Sequence, residues 1–109
     1  MIIHENKWNW GSTATIVCND GAAIVDLSFE DNDKGVCYLH GLSVIPVRRR
    51  KGHARALMFL AQQYCKEHGI FRIDLCAVQE PWLLDFYHKL GFVDIKEEEG
   101  LMRMYKMLK

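Results

Sequence analysis

The stretch from Leu42 to Ala54 constrains the fold more than any other, because its periodicity changes midway. Leu42-Ser43-Val44-Ile45 is apolar and rich in β-branched residues, as strands are, and Pro46 stops it by removing a backbone donor and fixing φ. Four cations follow, Arg48, Arg49, Arg50 and Lys51, and then Gly52. From Ala54 the spacing is helical: Ala54, Leu57, Met58, Ala61 and Cys65 fall on one face. A strand that turns through a basic loop and a glycine into a helix makes an anion site. The first helical N–H groups lack intrahelical partners, and the macrodipole adds positive charge at that end. Gly52 lets the main chain approach a ligand closely, and arginine or lysine side chains can close over it. A phosphate or pyrophosphate is the expected ligand.

The flanking sequence reads as alternating strands and helices. Thr13 to Cys18, then Val25, Leu27 and Phe29 alternating with polar residues, predict a hairpin around Asn19-Asp20-Gly21. Val36 to Ile45 predicts a third antiparallel strand, with Gly41 inside it as the mark of a bulge or a close backbone approach. Gly69 should end the long helix, with His68 in its last turn. A strand around Phe71, Ile73 and Leu75 follows, parallel to the strand before the helix. Glu80-Pro81 opens a second helix, which carries Leu83, Phe86, Tyr87 and Leu90 on one face and stops at Gly91. Strands Phe92–Ile95 and Leu101–Met107 are expected to close the chain, joined by Glu97-Glu98-Glu99-Gly100. Met1 to Gly11 reads as an edge strand or an arm that docks Trp8 and Trp10 on a neighbouring surface, or as a terminus packed on its own core. If the indoles mark a contact surface, a homodimer results.

At 109 residues the chain makes one domain. Its formal net charge is zero, so no global field draws it to nucleic acid or an anionic membrane. The run from Arg48 to Lys51 has no interleaved aromatics on which bases would stack, which argues against nucleic acid as a partner. Cys18, Cys37, Cys65 and Cys76 show no Cys-x-x-Cys spacing and read as reduced core residues. The five histidines lack ligand spacing, and no metal is expected. With no leader signal and no apolar run of membrane-spanning length, a cytoplasmic location and no membrane partner are expected.

Arg49-Arg50-Lys51-Gly52-His53-Ala54 resembles the Arg/Gln-x-x-Gly-x-Gly/Ala motif of the GNAT family of N-acetyltransferases. The run Phe86-Tyr87-His88-Lys89-Leu90-Gly91-Phe92 resembles that family's Tyr-x-x-x-Gly-Phe signature. The resemblance spans about Leu42 to Phe92, with the intervening elements in the family's order. It implies an α/β (mixed α+β) acyl-CoA N-acyltransferase fold: a mostly antiparallel sheet, a parallel splayed central pair and two main helices. It implies a single domain over residues 1–109 in which the family's opening strand and two helices are reduced or absent. Acetyl-CoA would be the co-substrate, with Leu42 and Val44 pairing their backbone with its pantetheine. Arg49, Arg50, Lys51, Gly52, His53 and Ala54 would hold its pyrophosphate.

The expected activity is acetyl transfer from acetyl-CoA, by direct attack, to an amine of a small molecule or peptide. The resemblance makes Tyr87 the general acid beside the sulfur; the alternative is a core aromatic sharing a face with Leu83 and Phe86. The base stays open. His40 has a suitable intrinsic pKa, Gly41 stands where many members carry a carboxylate, and Glu80 replaces a usual asparagine. An amine that arrives deprotonated would need no base. The missing acceptor wall and the replaced asparagine also admit a second reading, an acetyl-CoA-binding module that is idle or depends on a partner.

Overall fold

The computed structural model describes residues 1–18, 21–44 and 52–108. Its elements in chain order are β1 (Ile2–Trp8), β2 (Gly11–Cys18), β3 (Ala23–Glu30), β4 (Val36–Val44), α1 (His53–Glu67), β5 (Arg72–Val78), α2 (Pro81–Lys89), β6 (Val93–Glu98) and β7 (Leu101–Met107). The strands form one seven-stranded sheet in the order β1-β2-β3-β4-β5-β7-β6. β4 and β5 run parallel, and the other neighbours are antiparallel. Parallel pairing requires a long crossover, which α1 supplies. This is the expected mixed sheet with two helices.

Register divides the sheet into two unlike faces. Ile16 lies opposite Val25, Val25 opposite Leu42, Leu27 opposite Leu39, Leu39 opposite Leu75, and Leu75 opposite Met104. These directly paired residues share one face, and α1 closes it with Leu57, Met58, Ala61 and Cys65, all fully buried. Lys106 pairs with Ile73 and so lies on this face. Its ammonium donates to Gln62 Oε1 of α1 at 2.7 Å and to the carbonyl of Leu90, at the end of α2, at 2.6 Å. Both helices therefore cover the same side of the sheet. The other face carries Thr15, Asp26, Ser28, Tyr38 and Asp74, and neither helix covers it.

Local chemistry sets the element ends. Gly69 (φ 75°) follows α1, where the N–H of Ile70 returns to the carbonyl of Cys65. Gly91 (φ 97°) follows α2, and the N–H of Phe92 returns to the carbonyl of Tyr87. Asp85 and Lys89 pair at 2.9 Å on the exposed side of α2.

Of the open readings of the first segment the edge strand holds: β1 pairs along the whole of β2, with Trp8 53% exposed and Trp10 44%. Three sequence expectations need correction. β5 begins one residue after Phe71 and continues to Val78. β6 extends through Glu97 and Glu98, so the last turn narrows to Glu99 (φ 50°) and Gly100 (φ 80°), a two-residue hairpin with positive φ at both positions. Cys76 is exposed, whereas Cys18, Cys37 and Cys65 are buried. Among the described residues no helix is long and apolar enough to cross a membrane.

Candidate active site

β4 and β5 pair from Val36 opposite Arg72 to Leu39 opposite Leu75, and there the ladder stops, although the strands run on to Val44 and Val78. The cause lies on the other side of β4. Leu27 of β3 faces Leu39 while the next residue, Asp26, faces Gly41, which leaves His40 as the extra residue of a β-bulge. A bulge bends its strand and increases the local twist. Past it, β4 stays registered with β3 through Leu42 opposite Val25 and Val44 opposite Ala23. Its other edge faces a gap. Alternate backbone N–H and C=O groups of this stretch point into that gap, where an extended ligand can pair with them as a strand would. Leu42 and Val44 both belong to this stretch. Gly41 was the sequence signal for the bulge, and it forms the bulge with His40.

Gly52 begins α1 in the left-handed conformation (φ 79°, ψ 5°) that glycine adopts without cost. Among the described residues, a Cβ placed there would meet no atom within 4 Å and no side chain caps the helix. No acid stands in its first turn, which starts at His53 and Ala54. The turn thus presents N–H groups and the positive end of the helix dipole. That arrangement fits an anion such as a pyrophosphate. Pro46, Arg49, Arg50 and Lys51 lie outside the described residues.

Tyr87 is 5% exposed and belongs to the core cluster, edge-on to Phe86 at 5.4 Å and to Phe92 at 5.6 Å. Burial pushes its phenol above the ordinary value, so the group holds its proton. The ring thus packs in the core, and the hydroxyl keeps its proton. Glu80 precedes α2 in an extended conformation and makes no side-chain cap.

His40 is exposed on the uncovered face, with Nε2 2.5 Å from the hydroxyl oxygen of Ser28. Asp26 on the same face accepts a hydrogen bond from the hydroxyl of Thr15 at 2.7 Å. Ser28 and Asp26 were not singled out from the sequence. The alternation of β3 places them on the polar face, but only the bulge register brings Asp26 opposite Gly41. Two clefts, of about 330 and 280 Å³, lie at the far end of α1 beside Phe29, His68 and Ile70, away from the gap. Among the described residues no group of histidine, cysteine and acidic side chains is arranged to hold a metal ion.

The fold recurs in solved structures. PaiA N-acetyltransferase from Thermoplasma acidophilum, in complex with coenzyme A, superposes with a TM-score of 0.74 at 21% identity, covering 89% of this chain and 58% of that one. An acetyltransferase from Bacillus subtilis, also in complex with CoA, gives 0.71 at 21% identity, covering 91% and 78%. The ribosomal-protein-S18-alanine N-acetyltransferase from Escherichia coli gives 0.75 at 16% identity, covering 94% and 72%. This chain thus spans less than two thirds of the Thermoplasma protein's length. No curated protein sequence matches it significantly. The profile of the acetyltransferase (GNAT) family matches residues 4–92, which takes in most of β1, the bulged and splayed strands, both helices and the glycine turn after α2, and the chain belongs to that family.

Proposed function

We propose that this chain is an acetyl-CoA-dependent N-acetyltransferase acting on an amine of a small molecule or peptide in the cytoplasm. The observation that carries the reading is the gap between β4 and β5, opened by the bulge at His40 and Gly41, with the glycine turn into α1 beside it in sequence. When bound, acetyl-CoA supplies an acetyl group activated as a thioester. The β4 backbone beyond His40 pairs with the pantetheine, with Leu42 and Val44 as its anchor points. Gly52, His53 and Ala54 offer main-chain donors to the pyrophosphate, and Arg49, Arg50 and Lys51 add charge. A β4 N–H aimed at the thioester oxygen polarises it, as oxyanion donors do. Tyr87, kept protonated by burial, gives a proton to the departing sulfur.

The two sheet faces separate the two substrates. α1 lies on the covered face, so the phosphates bind there and the amine approaches the gap from the face that carries His40. Incubation with acetyl-CoA and a panel of amines (spermidine, lysine methyl ester and a short alanine-initiated peptide) tests the reading by release of free thiol. Amine-dependent thiol release is the expected result. Tight CoA binding with no transfer to any amine supports the idle or partner-dependent binding module instead.

A further inference from the structure

We infer that Asp26 is the catalytic carboxylate that receives the acceptor ammonium and takes its proton. The inference rests on the acetyltransferase reading and assigns that site a base on β3. In a bulge the two residues opposite one partner point to the same side of the sheet. His40 and Gly41 therefore both face the side that carries Asp26. Gly41 has no side chain there, and the space above it is taken by its neighbour: Asp26 Oδ2 stands 3.7 Å from where a Cβ on Gly41 would lie. The carboxylate is exposed and held in place, because Oδ1 accepts the Thr15 hydroxyl at 2.7 Å. Oδ2 has no hydrogen-bond partner among the described residues.

His40 is less free for this task. Its Nε2 is engaged by the hydroxyl of Ser28, itself 7% exposed, which ties the imidazole down along the sheet. Asp26 thus offers the open acceptor oxygen beside the bulge, on the face from which an amine arrives. The substrate class follows: a primary amine that is cationic in solution and is drawn to a carboxylate. The ammonium gives one proton to Asp26, which passes it to solvent. The nitrogen lone pair then forms the C–N bond as the C–S bond breaks. The amide nitrogen loses its second proton to solvent, which balances the proton that Tyr87 gives to the sulfur and later regains.

Asp26→Asn keeps the shape and the Thr15 contact while removing the base. On the amine of the panel that wild type uses best, we expect kcat/KM to fall about 100-fold, within the usual range for a general base. The calorimetric affinity for acetyl-CoA should not change. Gly41→Asp, added to Asp26→Asn, supplies a carboxylate from the facing position and should recover at least tenfold of that loss. The backbone tolerates it, because Gly41 lies outside the left-handed region and its Cβ would meet only ordinary contact distances. Asp26→Asn within twofold of wild type would overturn the assignment, as would a double variant with no recovery. Wild type that transfers to no amine, whether or not it binds acetyl-CoA, refutes the acetyltransferase reading itself and the assignment with it.

Discussion

Leu39 of β4 faces Leu75 of β5, and beyond that pair the two parallel strands separate. Both leucines are almost fully buried, so the separation begins at the edge of the apolar core. Packing of Leu39 and Leu75 holds the base of the gap shut, while the bulge at His40 turns the rest of β4 away. A slot with a fixed floor and unpaired backbone on its sides is preorganised for an extended ligand, which lowers the ordering cost of binding.

The turn into α1 supplies the first prediction. Asparagine tolerates the left-handed conformation that Gly52 adopts, whereas a β-branched residue is strained there by about 1–3 kcal/mol. Gly52→Asn should fold normally and weaken CoA binding by covering the main chain. Gly52→Val should weaken binding and lower the melting temperature together. Arg49→Ala removes a charge-assisted hydrogen bond worth roughly 1.5–3 kcal/mol, and so should weaken CoA by about ten- to a hundred-fold without loss of stability. Unchanged calorimetric affinity in Gly52→Asn and Arg49→Ala removes the phosphate role of this loop.

Tyr87 separates ring from hydroxyl. Among the described residues the hydroxyl has no hydrogen-bond partner, and the ring's packing against Phe86 and Phe92 survives in phenylalanine. Tyr87→Phe should keep its stability within about 0.5 kcal/mol. Acetyl-CoA affinity should hold while kcat falls about 10²- to 10⁴-fold where chemistry limits the rate. Tyr87→Ala should cost about 3–5 kcal/mol through the cavity it leaves. Wild-type turnover in the phenylalanine variant takes the hydroxyl out of the reaction.

The sequence revealed the middle of the chain well and its edges poorly, for physical reasons. Pro46, Gly52, Gly69 and Gly91 punctuate changes of period, and β7 matches its expected span of Leu101–Met107. Edge strands lack such signals. β1 buries no face fully, so Ile2 to Trp8 shows no alternation to read. β6 is exposed throughout, and its acidic end is held by Lys96 at 2.7 Å from Glu98 and by Arg103 across the hairpin at 3.8 Å. Glu98, which reads as a turn residue from composition, is a strand residue with two partners. In the site, Gly41 signalled the bulge, but Asp26 became visible only through register, which a single sequence does not specify.

Alkaline unfolding checks the buried hydroxyls and thiols. The Cys65 thiol beside it, together with burial, holds the Cys37 thiol above its ordinary 9.0. Burial raises Tyr64, helped by its hydrogen bond to Glu5, and raises Tyr87. The hydrogen bond to Asp33 pushes Tyr38 up to about 12. For each, the unfolded chain loses a proton that the folded chain keeps, so stability is whole below the unfolded value and falls above it. Lys106 has the opposite sign: burial lowers it from 10.5, so its contribution rises with pH up to that value. Four groups oppose one. The melting temperature should therefore decline from about pH 9 and more steeply above about pH 10, where the tyrosines join. A melting temperature that rises between pH 9 and pH 11 would contradict these assignments.

The most direct measurement of the central claim is amide hydrogen exchange with and without CoA. Binding in the gap predicts slowed exchange on β4 beyond the bulge, at alternate amides between His40 and Val44, and in the first turn of α1. The β1–β2 ladder on the far side of the sheet should exchange at its unliganded rate. CoA that binds and leaves the amides of 40–44 unprotected, or protection confined to other strands, would contradict the account.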